Sequence, residues 1–188
     1  MKKLFVLILS FSLCLSLSAC TSGEADYSVS QDTRKVFQAG DYPIWVTTPS
    51  DWKKESDPDS FDLQCRSPKK DMYLSVFGFS ALDLSDDPQD LFELQTNEIM
   101  SLRDNATEIE PITSTEDDEK TLFTSLYSGE HNGAKYYYRF FFIHFKSTGD
   151  MAWISFNGMP SVVENNSEVI DEIISTVQNS DPEMEEKQ

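Results

Sequence analysis

The chain has 188 residues and is strongly acidic, with 33 Asp and Glu against 15 Lys and Arg and a formal net charge of −18. That length is enough for one ordinary domain with a buried core. An acidic field of this size repels nucleic acid and anionic lipid headgroups. We therefore exclude a nucleic-acid partner and interpret the charge as that of a solvated surface.

The N-terminal residues have the pattern of a secretory signal peptide. Lys2 and Lys3 precede an apolar run at 4–17, which is shorter than the roughly 20 apolar residues that a membrane span needs. Small residues follow the run, as they do before a cleavage site. If residues 1–19 are removed, both lysines leave with them and the formal charge becomes −20.

The cleavage site carries a more specific signal. Leu17-Ser18-Ala19-Cys20 resembles the lipobox of bacterial lipoproteins, in which cleavage falls between Ala19 and Cys20. The resemblance implies a diacylglyceryl group on the Cys20 sulfur and often a further chain, such as palmitate, on its amino group. Each buried methylene contributes about 0.8 kcal/mol, so two or three chains anchor stably where one does not. An ordinary secreted protein whose cleavage falls before a cysteine is the alternative.

The anchor predicts where the protein acts. We expect an extracytoplasmic protein that is attached by lipid to a bacterial cell membrane or outer membrane. Residues 20–33 are predicted to be the acylated cysteine and a small, polar, flexible tether. With Cys14 in the signal and Cys20 acylated, Cys65 cannot form an intramolecular disulfide. Because Cys65 alternates with Leu63, we interpret it as a small buried hydrophobe.

Short strands dominate the start of the predicted domain, which we place at 34–179. Strands are expected at 34–38 and 42–48, and a hairpin at 61–66 and 72–81, with a polar loop at 53–60 between them.

A helix is predicted next. Pro88 stands at its first position, Asp86 or Asp87 caps it, and Asn105 ends it. A weak strand follows at 106–112, because Pro111 cannot donate to a ladder.

The second half contains the clearest strand pattern. Asn132-Gly133 favours a tight hairpin turn between strands at 122–130 and 135–146. The second of these strands has aromatic residues on both faces, which predicts a central position in the sheet. Pro160 ends a further strand at 151–159. A final helix, capped by Asn166 or Ser167, precedes an acidic tail at 180–188 that we expect to be disordered.

This order of elements resembles the PsbP-like fold. That fold is shared by the photosystem subunit PsbP, a nuclear-import factor acting on the Ran GTPase, and bacterial envelope lipoproteins such as the DcrB-like proteins. The residues that carry the resemblance lie at 42–46, 49–52, 153–156 and 173–177. It implies an α+β domain over 34–179, in which two main helices flank an antiparallel sheet as an α/β/α sandwich. It also implies a role in binding or assembly rather than catalysis.

Residues that could carry chemistry are few. His131 and His144 share no motif, and the acidic stretches at 83–90 and 116–119 do not match a calcium loop. The chain has no glycine-rich phosphate loop and no nucleophile motif with a histidine base. We therefore predict no catalytic residues, no metal site and no cofactor.

Three functions remain as hypotheses. We expect a non-catalytic protein-binding or accessory module of the cell envelope, which contacts another envelope protein through an exposed sheet edge or a loop cluster. The alternative is a small-ligand-binding lipoprotein with a cleft lined by Trp45, Trp52, Tyr136 and Trp153, although such rings are also typical of a plain core. A carboxylate-based hydrolase ranks last, and it requires two carboxylates that converge in one pocket.

Overall fold

The structure is a computed structural model of the chain, and it describes residues 34–56, 61–80 and 87–181. The predicted signal peptide, Cys20, the predicted tether and the part of the predicted tail beyond residue 181 lie outside the described residues. The described part contains nine strands and three helices. None of these helices combines the length and the apolar character that crossing a bilayer requires.

The elements follow the chain in this order: β1 (Arg34–Gln38), β2 (Trp45–Pro49), β3 (Lys53–Lys54), β4 (Leu63–Arg66), β5 (Met72–Phe79), α1 (Pro88–Ser101), β6 (Asp104–Glu116), β7 (Lys120–His131), β8 (Ala134–Phe145), β9 (Met151–Gly158), α2 (Pro160–Asn165) and α3 (Ser167–Ser175).

Seven strands form one antiparallel sheet, in the order β3-β4-β5-β9-β8-β7-β6, while β1 and β2 pair with each other. The aromatic strand β8 lies between β9 and β7, where Phe140 and Phe142 are buried on one face and Phe141 and Ile143 on the other. Its predicted central position is confirmed. The structure also confirms the fold class: a single α+β domain built on an antiparallel sheet flanked by helices.

The two faces of the sheet are covered at different places. On one face, called the α1 face, α1 packs against β6 to β9 over a core that includes Phe92, Phe142 and Trp153. On the other, called the α3 face, α2 packs on β8 and β9, and α3 packs against β2. The core beneath them includes Trp52 and Phe156. Because α2 contacts β8 and β9 while α3 contacts β2 and α2, the α3 face of β6 and β7 is left less covered.

The outer edge strand β6 is longer than predicted. Nearly all of its residues are exposed, its pairing with β7 contains three register shifts, and Pro111 lies within it. A strand exposed on both faces has no alternation of apolar and polar residues, so the sequence pattern indicated only 106–112. The predicted end of α1 was wrong, since the helix stops at Ser101 and Asn105 already belongs to β6 with a φ of 50°.

The helix cap and the hairpin turn were predicted more reliably than the bounds of the helices and strands. The Asp87 side chain caps α1 by accepting from the Gln89 N–H, with Pro88 at the start of the helix. Asn132 and Gly133 have φ values of 53° and 76°, as the predicted hairpin turn requires. By contrast, β3 was assigned to a loop, and the short helix α2 was not predicted.

Candidate functional site

The incomplete cover of the α3 face creates a groove beside helix α3. We call this the α3 groove, and it has two sections in line along the helix. The junction section, beside the α2–α3 junction, has a volume of about 300 Å³. It is lined by residues from β6, β7, β8 and both helices: Ile109, Glu110, Leu126, Tyr137, Arg139, Val163, Glu164, Ser167 and Ile170.

The terminal section lies beside the C-terminal half of α3 and has a volume of about 330 Å³. Its lining is mainly apolar, with charged side chains at the rim: Lys120, Leu122, Phe141, Ile143, Asp171, Ile174 and Ser175. Ile170 of the junction section and Ile174 of the terminal section are four residues apart, so they lie on one face of α3. The two sections therefore follow the same side of the helix.

Strand alternation produces the apolar floor of the α3 groove. Leu122, Thr124 and Leu126 of β7 are two residues apart, so all three side chains point to the α3 face. Their register partners on β8 are Ile143, Phe141 and Arg139. The sequence pattern did not reveal this surface, because both faces of β7 and β8 carry apolar residues and only the position of α3 leaves one of them open.

A buried polar atom lies on β7 between the two sections. The Oγ1 atom of Thr124 has no hydrogen-bond partner among the described residues. Thr124 lies between Leu122 of the terminal section and Leu126 of the junction section, but it lines neither of them. An unpartnered buried hydroxyl costs about 1–3 kcal/mol, so this atom lowers the stability of the fold.

An ion pair crosses the junction section. Arg139 Nη1 donates to Glu110 Oε2 at 2.8 Å, and both side chains remain partly exposed. The Arg139 guanidinium also lies 5.9 Å from the centre of the Phe141 ring. The remaining rim is acidic on the helix side, where Glu164 and Asp171 are exposed.

The four predicted ligand-binding rings are not brought together. Trp52 and Trp153 are completely buried in different cores on opposite faces of the sheet. Trp45 is half-buried on β2, and Tyr136 is half-buried on β8 against the α1-face core. None of the four lines a section of the α3 groove. Their role as ligand contacts stays a prediction.

The remaining candidate residues do not form a site. Cys65 is buried, and burial raises the pKa of its thiol from 9.0 to about 12, which keeps it protonated at neutral pH. His131 is exposed in the hairpin turn, and His144 is half-buried on β8. Within 34–56, 61–80 and 87–181, no three His, Cys, Asp or Glu side chains are grouped so that they could hold a metal ion.

Two further groups have perturbed pKa values for structural reasons. The pKa of Asp117 is lowered because its carboxylate accepts hydrogen bonds from the backbone N–H groups of Lys120 and Glu119. The pKa of Tyr127 is raised to about 12 by burial and by its hydrogen bond to Glu108. Both groups stabilise the local turn or strand pair in which they lie.

No family model matches this chain, and no curated protein sequence matches it. Solved structures do match. A cyanobacterial PsbP (CyanoP) from Synechocystis is 13% identical with a TM-score of 0.56, covering 80% of this chain and 95% of that one. The Ran-binding protein Mog1p of Saccharomyces cerevisiae is 12% identical with a TM-score of 0.57, covering 82% and 97%.

A third match is LpqN, described as involved in cell envelope biogenesis of Mycobacterium tuberculosis. It is 9% identical with a TM-score of 0.56, covering 78% of this chain and 90% of that one. At identities this low the similarity establishes the fold, because sites differ widely between proteins that share a fold. The chain has the PsbP-like fold that the order of its elements predicted.

Proposed function

We propose that this chain is a lipid-anchored, non-catalytic protein-binding module of the bacterial cell envelope, and that its α3 groove binds a basic, amphipathic segment of a partner protein. The groove is the single observation that carries the proposal. It combines an apolar floor with a partly acidic rim, on a face of the sheet that the helices leave open.

Charge supports a basic partner segment. From Asp87 to Asp181 the chain has eighteen Asp and Glu residues against five Lys and Arg. Glu164 and Asp171 stand at the helix side of the groove, Lys120 stands at the strand side of the terminal section, and Arg139 is already paired with Glu110. Apolar side chains of the partner would fill the floor, while its Lys or Arg side chains would contact the rim. Complementary charges of this kind increase the association rate and the specificity more than the affinity.

The structural neighbours are consistent with a binding role. Mog1p is named a Ran-binding protein, and LpqN is described as involved in cell envelope biogenesis. The anchor at Cys20 rests on the lipobox resemblance, and it would hold the groove at a membrane surface where an envelope partner is within reach. Extracytoplasmic, lipid-attached localisation is part of the same proposal.

Site-specific photo-cross-linking in intact cells tests the groove. A photoreactive residue at Leu122, in the floor of the terminal section, should trap one reproducible partner segment that contains Lys or Arg. The matched control position is Leu94, which is 52% exposed on α1 on the opposite face. The same set of neighbours trapped from both positions would overturn the proposal.

Charge reversal provides a second test. Replacing Glu164→Lys and Asp171→Lys together should weaken the cross-link from Leu122 several-fold. Glu93→Lys and Glu98→Lys on α1 change the net charge equally and should leave the cross-link unchanged. Equal loss from both pairs would show that only the total charge matters.

A further inference from the structure

The α3 groove runs along a helix and a strand at the same time. In the junction section, Ile170 of α3 and Leu126 of β7 line the same space. In the terminal section, Ile174 of α3 and Leu122 of β7 do so. The groove is therefore an elongated trough between α3 and β7. The strand from Leu126 to Leu122 accounts for about 13 Å of its floor.

The width of the open surface fits one helix. On this face α2 packs on β8 and β9, and the next two strands in the sheet are β7 and β6. Helices that pack side by side have axes about 8–10 Å apart. Two inter-strand spacings of about 4.8 Å cover the same distance, so the next helix position lies over β6 and β7. The α3 groove occupies that position.

The backbone of the floor is already paired within the sheet. β7 pairs with β6 on one side and with β8 on the other. An extended segment on this floor would press its own N–H and C=O groups against apolar side chains, where they would be costly to leave unpaired. A helix pairs its backbone internally and presents only side chains. The floor therefore favours a helical occupant.

The ion pair in the junction section is compatible with an apolar helix face. Arg139 and Glu110 are 2.8 Å apart and neutralise each other. The Arg139 guanidinium lies 5.9 Å from the centre of the Phe141 ring, so the methylene groups of Arg139 extend along the floor. An occupant that crosses this pair contacts aliphatic carbon as well as a neutralised charge.

A β-bulge in β6 adds an exposed apolar residue to the groove. Glu108 and Glu110 pair with the adjacent β7 residues Tyr127 and Leu126, so Ile109 is an extra residue on β6. Bulges of this kind change the direction of a side chain. Ile109 is 44% exposed and lines the junction section. It provides an accessible apolar contact level with Leu126.

The charges at the rim predict which polar residues the occupant carries. Glu164 and Asp171 are exposed on the helix side and are seven residues apart, which is about 10 Å of helix rise. Lys120 stands at the strand side of the terminal section. A matching helix would carry Lys or Arg residues about two turns apart on the edge toward α3, and no basic residue next to Lys120.

We propose that the segment bound in the α3 groove is an amphipathic α-helix of the partner, which lies along α3 over β6 and β7 and extends the helical layer on this face of the sheet. Its apolar residues, spaced at i, i+4 and i+7 or i+8, contact the floor from Ile109 to Leu122. Helices bind grooves on other proteins through anchors with this spacing. The inference rests on the proposed function, which leaves the conformation of the segment open.

The spacing of cross-linked residues measures that conformation. A photoreactive residue is placed at Ile109 or at Leu122 of the full chain in intact cells, and mass spectrometry identifies the partner residue that each one traps. The two positions are about 13 Å apart along the strand direction. In a helix, which rises about 1.5 Å per residue, the trapped residues should be about nine positions apart in the partner sequence. In an extended segment they would be about four apart.

The outcomes separate this inference from the proposed function. A spacing of about four overturns the helix and leaves a groove that binds a partner segment. Different proteins trapped from the two positions also overturn the helix. No reproducible partner from either position overturns the proposed function, and the helix with it. Trapping of residues 21–33 or 182–188 of this chain, or of a second copy, assigns the groove to the protein itself and overturns both.

Proline substitution in the trapped segment gives a second readout. A proline midway between the two trapped residues, at a position that faces away from the groove, should reduce capture from Ile109 and Leu122 by about tenfold or more, because it breaks a helix. Alanine at the same position is the control and should preserve capture. Equal capture of the proline and alanine variants overturns the inference.

Discussion

Arg139 on β8 and Glu110 on β6 form an ion pair across the strand that separates them. Glu110 is the register partner of Leu126 on β7, and Leu126 is in turn the partner of Arg139, so the 2.8 Å contact passes over the Leu126 side chain. Leu126 is only 6% exposed despite lying near the sheet edge. The ion pair thus attaches the outer strand to the sheet and covers part of the groove floor.

A double-mutant cycle measures this ion pair. We expect Glu110→Gln and Arg139→Gln to be coupled by about 0.2–1 kcal/mol in the free energy of unfolding, because both groups are partly exposed and the pair is screened by salt. Urea unfolding at low salt and at about 1 M salt provides the measurement, and the coupling should fall at high salt. A coupling energy that does not change with salt would contradict the assignment of this ion pair to a solvent-screened position.

The buried hydroxyl of Thr124 predicts a stabilising substitution. Thr124→Val keeps the shape of the side chain and removes a polar atom that has no partner among the described residues, so the free energy of unfolding should rise by about 1 kcal/mol. Thr115→Val on the exposed face of β6 is the control and should change it by less than about 0.5 kcal/mol. Destabilisation of the Thr124 variant would mean that the hydroxyl has a partner in the free protein.

Substitution of Trp153 tests whether this residue belongs to the core or contacts a ligand. It is completely buried, with its ring 5.2 Å from that of Phe140 and 5.6 Å from that of Phe77. Trp153→Ala should therefore lower the free energy of unfolding by about 3–5 kcal/mol. Trp45→Ala removes a half-buried ring from β2 and should cost clearly less. Chemical unfolding compares the two variants, and equal losses would contradict the assignment of Trp153 to the core.

Because the Cys65 thiol is buried, we expect the free energy of unfolding to fall at alkaline pH. Burial raises the pKa of its thiol from 9.0 to about 12 in the folded chain, so the unfolded chain loses this proton at a lower pH. The stabilising contribution of the neutral thiol is complete below about pH 9 and disappears as the pH rises toward 12. Urea midpoints at pH 7 to 11 should fall more steeply for the wild type than for Cys65→Val.

The Cys65→Val variant is the appropriate control because Tyr127 and Tyr138, whose pKa values are also raised, titrate in both proteins. Parallel pH profiles for the two proteins would contradict a buried neutral thiol. The folded wild type should also resist thiol reagents at neutral pH, since the thiolate is the reactive form.

Local chemistry in the sequence was sufficient for much of the fold. The helix start at Asp87-Pro88 and the hairpin turn at Asn132-Gly133 depend on contacts within a few residues. The aromatic strand around Phe141 is identified because both of its faces are apolar. The order of such elements was enough to indicate the PsbP-like fold. Boundaries were less predictable, since Lys53–Lys54 becomes a strand only by pairing with distant residues.

The α3 groove could not be predicted from the sequence. Leu122 and Leu126 look like ordinary core positions, and only the position of α3 in the folded chain shows that they line a groove beside that helix. The aromatic residues chosen as ligand contacts illustrate the same limit. Trp52 and Trp153 are conspicuous in the sequence, but large rings are the most effective core residues, and both are completely buried.

The irregular outer strand β6 affects whether two molecules of this protein can pair through their sheet edges. A straight 13-residue edge would offer a row of backbone donors and acceptors on which a second molecule could add its own strand, and repeated addition would build insoluble fibres. Pro111 removes one donor from that row, and the three register shifts bend the strand, so consecutive groups do not present a continuous template. The irregular β6 edge therefore disfavours strand-to-strand aggregation when the protein is concentrated.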